Sequence, residues 1–291
     1  MRHLARTSAA LATVTLAFVA CREKAPPPQP AQPPAAAAAK PFAFTLTDLA
    51  LATAVDAKLA RLSLAGSEVE AALAARDPGE RAKAAGFVAA LDAARAESDA
   101  AIAQVKHPLD QPAAARVQIA AKEYVARLTA AAKAPSAPLT PELAAARASF
   151  GEALAGYRES RAAWRFDAPP PVGPEREFAE ARRDMEKAET GFMARTQVAP
   201  RGEGHEFDAS GTRMAGQMGV QRAKAVAAQL SPALQPHAVR YAAAQEKVLE
   251  AVNALQGAKE GDKPRLARAY HAAKADALAA LADYFAAVAA R

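Results

Sequence analysis

The sequence predicts an all-α fold of about eight long antiparallel helices, packed as one elongated bundle or as two four-helix bundles. Two observations carry this expectation. From Phe42 onward every long segment spaces its apolar residues by three and four, and none shows the period-two alternation rich in Val, Ile and Thr that strands require. Prolines and glycines fall between those segments, where helices must stop.

The first helix, from about Thr45 to Arg76, presents Leu51, Val55, Leu59, Leu62, Val69 and Leu73, with Gly66 in the gap of the stripe, and Asp77-Pro78-Gly79 reads as a turn. The second carries Phe87, Leu91, Ala94, Ile102 and Val105, and stops at His107-Pro108 because proline disfavours helix in the residue before it. The third has Val117, Ala121, Tyr124 and Leu128. The fourth opens on Thr140-Pro141-Glu142, where threonine caps and proline suits the first turn, and is expected to bury Leu143, Phe150, Leu154, Tyr157 and Trp164.

Ala168-Pro169-Pro170-Pro171-Val172-Gly173-Pro174 is the strongest internal break. It divides the body into residues 42–167 and 175–291, with 168–174 as a proline-rich joint. The fifth helix follows with Phe178, Ala181, Met185, Ala188 and Phe192. A weaker sixth carries Met214 and Met218; the seventh has Tyr241, Val248, Val252 and Leu255. The eighth shows Leu266, Tyr270, Ala273, Ala277, Leu281, Tyr284 and Val288. Met185, Met193, Met214 and Met218 are expected to pack in the core, and Asn253 beside Val252 reads as a buried polar residue that fixes helix register.

Ahead of the body, residues 1–20 have the parts of an export signal: basic Arg2 and Arg6, then a fourteen-residue apolar run from position 7 to 20. That run falls short of the roughly 20 residues of a membrane-spanning helix. It ends in Leu16-Ala17-Phe18-Val19-Ala20-Cys21, which resembles the bacterial lipoprotein signal, with Phe18 where that pattern usually has Leu. The resemblance implies removal of residues 1–20 and a mature chain beginning at Cys21. In that family the cysteine carries thioether-linked diacylglycerol and an amide-linked acyl chain. Arg22 rather than Asp after it implies outer-membrane sorting in a Gram-negative host. Cys21 is also the only cysteine, so an acylated chain has none left for disulfides.

Residues 21–41 complete the leader as a lipidated cysteine and a disordered Pro/Ala-rich linker. Prolines at this density favour polyproline II, and the seventeen positions from 25 to 41 span on the order of 50 Å at 3.1 Å per residue.

Charge separates little along the body. The net charge is +6, yet residues 42–173 hold fifteen basic and fifteen acidic side chains, and residues 174–291 seventeen and fifteen. Interspersed charges read as solvated helix faces, so nucleic acid is not an expected partner. Glu203, His205, Glu206 and Asp208 form the one cluster of metal-ligating types, followed by Gly211, Gly216 and Gly219. The His-x-x-Glu spacing that aims ligands into a bundle is missing there, so a polar loop is expected and no cofactor is assigned. Glu177, Glu180 and Asp184 share one side of the fifth helix, away from Phe178, Met185 and Phe192, and read as exposed rather than as catalytic carboxylates.

In its acylated cysteine, Pro/Ala spacer and helical body the chain resembles the YiiG-like helical lipoproteins. The sequence therefore leads to a non-catalytic, membrane-tethered envelope protein with its body in the periplasm, serving as a protein-binding or spacer module for an envelope partner. The alternative is a periplasmic bundle that binds a small ligand or metal through residues 201–219.

Overall fold

A computed structural model describes residues 43–136, 140–161, 164–166, 170–197, 209–259 and 261–291. These belong to one unit, Phe42–Arg291, and are all-helical. The described elements are α1 (Leu46–Leu73), α2 (Pro78–Ala82), α3 (Ala84–Ile102), α4 (Gln111–Lys133), α5 (Pro141–Ser160), α6 (Gly173–Gln197), α7 (Ala209–Ala227), α8 (Gln235–Gln256) and α9 (Lys263–Ala289). The extra element is α2. Asp77, expected in a plain turn, accepts from the amides of Gly79 and Glu80, and this cap nucleates one helical turn.

Local chemistry accounts for most boundaries. Thr45 and Asp48 form a reciprocal capping box at the start of α1. Thr140 Oγ1 accepts from the Leu143 amide and Pro141 occupies the first turn of α5. Gly173 opens α6 with φ of 55°, a left-handed conformation that glycine adopts without a Cβ penalty.

Two apolar cores form. The first gathers Leu59, Leu62, Val69, Leu91, Val117, Leu128, Phe150 and Tyr157 from α1, α3, α4 and α5. The second gathers Phe178, Met185, Leu234, Tyr241, Val248, Leu281 and Tyr284 from α6 to α9 with the turn before α8. What unites them is not the proline joint but α1 against α9, the most extensive helix pair among the described residues. Ala57 and Ala60 of α1 pack on Ala275 and Leu278 of α9. Further along, Ala71 and Ala74 share a cleft with Lys263 and Ala267, so the two helices run antiparallel. Small side chains let the axes approach closely while removing little apolar area each, so the large residues on either side supply about 1.5–3 kcal/mol apiece.

The structure revises several expectations. Trp164 lies beyond the end of α5 and packs with Phe44 and Ala52 rather than in that helix's seam. Met185 is buried in the second core, but Met214 and Met218 project into solvent from α7. They sit on the side of α7 opposite Val220, Ala223 and Val226, which supply that helix's core contacts. Gly216 and Gly219 do that helix's close packing instead: a Cβ on Gly219 would lie 3.0 Å from Met185 Cγ, and one on Gly216 3.1 Å from Ala188 Cβ.

Gly66 plays the same part in α1, where an added Cβ would fall 2.6 Å from Tyr124 Oη, itself hydrogen-bonded to Glu70. Gly66→Ala should therefore destabilise the chain by about 1–3 kcal/mol through overpacking, despite alanine's better helix propensity. The midpoint of urea unfolding checks this; an unchanged or raised midpoint contradicts it.

Candidate functional site

The chemistry-bearing residues of the body converge on buried positions between helices. Glu189 of α6 occupies the face that also carries Met185 and Phe192, and is nearly inaccessible to solvent. Its Oε2 accepts from Lys274 Nζ at 2.6 Å and Gln245 Nε2 at 2.9 Å, and its Oε1 from Tyr270 Oη at 2.9 Å. One carboxylate thus ties α6 to α8 and α9. Burial opposes ionisation of Glu189, but the Lys274 charge and the three donors outweigh it and hold the carboxyl below its ordinary value.

A second buried carboxylate, Asp56 of α1, receives Arg161 Nη2 at 2.6 Å and Arg158 Nε at 3.4 Å from α5. A third, Asp110 just before α4, is 2% exposed and accepts from Tyr157 Oη at 3.3 Å. Burial pushes its carboxyl above the ordinary value, against the opposing pull of Arg161, the Tyr157 hydroxyl and His107. His271 of α9 is pushed down to about 4 by burial and by the charges of Arg147 and Arg158, so it is a neutral imidazole at pH 7. Glu189 is held ionised by a fixed cation and Asp56 is paired with two guanidinium groups, which suits locking of helices rather than proton transfer.

Clefts also open between the described helices. One of 540 Å³ lies between α1, α5, α8 and α9, with Leu143, Leu255 and Ala267 on its walls and Glu70 bridged to Arg147 at 3.3 Å. Another, of 340 Å³, lies between α6, α7 and α8, where Arg213 Nη2 donates to Asn253 Oδ1 at 3.0 Å. Asn253 is thus half-buried at a cleft rather than enclosed, and Gln245 is the buried amide of α8.

Cys21 lies outside the described residues, as do Glu203, His205, Glu206 and Asp208. Residues 209–212, expected ahead of the sixth helix, already belong to α7. Glu177 and Asp184 are exposed; Glu180 bridges Arg176 of its own helix and Arg222 of α7. Among the described residues no group of three or more His, Cys, Asp or Glu is placed to hold a metal ion. Glu189 and Asp56 escaped the sequence reading, although a signal existed: Glu189 stands four residues after Met185 and three before Phe192, and Asp56 three before Leu59, so each shares an apolar face. No protein-family model, curated protein or solved structure matches the chain.

Glu189→Gln leaves the Lys274 ammonium, itself only 15% exposed, without its counter-charge. The expected loss is about 3–5 kcal/mol in urea unfolding, and the Glu189→Leu/Lys274→Met double variant should lose much less, because no charge is then stranded. Equal losses in the two variants contradict the assignment.

His271 also sets a pH dependence. Its folded-state value of about 4 lies below the unfolded 6.5, so the unfolded chain binds the extra proton between them. The associated stability is fully present above pH 6.5 and is lost as pH falls toward 4. His271→Gln should flatten the fall in unfolding midpoint across that window; an unaltered profile contradicts it.

Proposed function

We propose that this chain is a helical lipoprotein of the cell envelope, held to a membrane through an acylated Cys21, whose body acts without catalysis as a protein-binding or spacer module. The observation that carries the reading is the order of features before the body. Arg2 and Arg6, an apolar run ending at Cys21, the polar Arg22-Glu23-Lys24 and a Pro/Ala spacer follow one another without interruption. Such a leader exports and anchors; it has no other evident use. Each buried methylene contributes about 0.8 kcal/mol to anchoring, and three acyl chains hold a protein firmly where one does not.

The helical body supports the same reading. No helix among the described residues is long and apolar enough to cross a membrane. Of the three carboxylates buried among the described residues, Glu189 and Asp56 fix one helix against another. An all-helical unit behind a Pro/Ala-rich tether suits presentation of a protein surface close to a bilayer. The body then stands in the periplasm, and in a Gram-negative host Arg22 favours the outer membrane.

A second reading, small-ligand binding, draws on the 340 Å³ cleft, which takes in Arg213, Gly216 and Gln217 from the 201–219 stretch. It ranks lower because polar groups there satisfy one another: Arg213 engages Asn253, and Lys224 engages Glu246 at 2.7 Å.

Expression of the natural chain should yield a protein that partitions into the detergent phase and whose mature N-terminal peptide carries acyl mass on Cys21. Cys21→Ser should move it to the aqueous phase with the body's helical circular dichroism unchanged. An unmodified N-terminal peptide beginning at Met1 in native cells contradicts the proposal.

A further inference from the structure

The chain enters the helical body through an aromatic stack. Phe44, buried, lies with its ring centroid 3.6 Å from His107 at 22° and 3.7 Å from Trp164 at 9°. Its amide donates to the Arg165 carbonyl at 2.9 Å. The described chain therefore enters the body at a fixed point, just before the start of α1.

Large apolar side chains face solvent at that same point. Phe166 packs on the stack, 6.5 Å from Phe44 and 6.0 Å from Trp164, yet is 40% exposed. Leu109, whose amide donates to His107 Nδ1 at 3.3 Å, is 60% exposed. Lys106, next to His107 in the chain, and Arg165, next to Phe166, are both exposed. An aromatic ring, an aliphatic side chain and two basic residues gathered around one stack are the composition of a surface that settles at the headgroup boundary of an anionic bilayer.

We propose that this face, built from Lys106, Leu109, Arg165 and Phe166 around the Phe44 stack, rests on the lipid surface to which the chain is tethered. The occupant follows from where the tether joins. The chain that leads from Cys21 enters the described body at Ala43, next to Phe44 of the stack. A covalent tether keeps such a face near its bilayer, so a patch too weak to bind membranes unaided is sufficient. The inference rests on the tether reading, and turns the spacer from a stand-off into a leash that lets one end of the body sit down.

Trp164 is the chain's only tryptophan and lies in the stack itself, so its emission reports on this face alone. Residues 21–291, coupled through the sole thiol of Cys21 to maleimide-headgroup lipid, are compared on phosphatidylcholine/phosphatidylglycerol vesicles with plain or brominated upper acyl chains. Emission should fall roughly twofold on the brominated vesicles, and Leu109→Ser/Phe166→Ser should abolish the fall at equal coupling. Should that variant lose helical circular dichroism, Lys106→Glu decides: it should weaken the quenching on anionic vesicles and not on phosphatidylcholine alone.

Equal wild-type emission on plain and brominated vesicles overturns the proposal. So does quenching that survives in the folded double variant, or vesicle-free self-association that the double variant loses, which assigns the face to a second copy. Because the coupling is chemical, none of these results bears on natural acylation, which the detergent partition of the native chain judges separately.

Discussion

Helices α1 and α9 lie against each other through Ala57, Ala60, Ala275 and Leu278, and the architecture of the body follows from that contact. An alanine seam draws two helix axes together because nothing larger than a methyl stands between most of the positions. It is nonetheless a poor source of burial energy. The seam works because each of its helices is independently anchored: α1 by Leu59, Leu62 and Val69 in one core, α9 by Leu281 and Tyr284 in the other. The first and last helices of the body thus close the fold on itself, and α1 is left with hardly any solvent-facing side.

Beside the seam stand the buried charges. An ion pair taken out of water is weak evidence of net stabilisation, since desolvation consumes most of the Coulombic gain. Its effect is felt in the alternatives it forbids. Glu189 finds Lys274, Gln245 and Tyr270 only when α6, α8 and α9 are in one register, and Asp56 finds Arg158 and Arg161 only when α5 is correctly set on α1. Alanine-rich helices slide easily past one another, so a chain of this composition needs such markers more than a leucine-rich bundle does.

The apolar stripes read from spacing alone correspond to the two cores, because Leu, Val, Phe and Tyr at three- and four-residue intervals have few other uses. The second face of α1 was illegible for the opposite reason: Ala57 and Ala60 look the same in sequence whether they line a seam or fill a solvated surface. Glu189 and Asp56 were hidden by the ordinary rule that carboxylates face water, a rule suspended when a cation arrives from another helix. Met214 and Met218 misled in the reverse direction, since the glycines at 216 and 219, not the methionines, set how α7 sits against α6 and α8. Trp164 could be placed in a core but not assigned its partner, for Phe44 is 120 residues away in sequence.

Functionally, the same economy connects body and leader. A unit closed by its own terminal helices needs no disulfide, which suits a chain whose single cysteine is the one we propose to carry an anchor. Whether the α1–α9 seam couples the two cores is tested most directly by hydrogen exchange on Ala275→Leu, a bulky change in α9 far along the chain from the first core. The account predicts that amides of α3 and α4 lose protection together with those of α7 and α8. Loss confined to α7, α8 and α9, with α3 and α4 exchanging as in the unaltered chain, would contradict it.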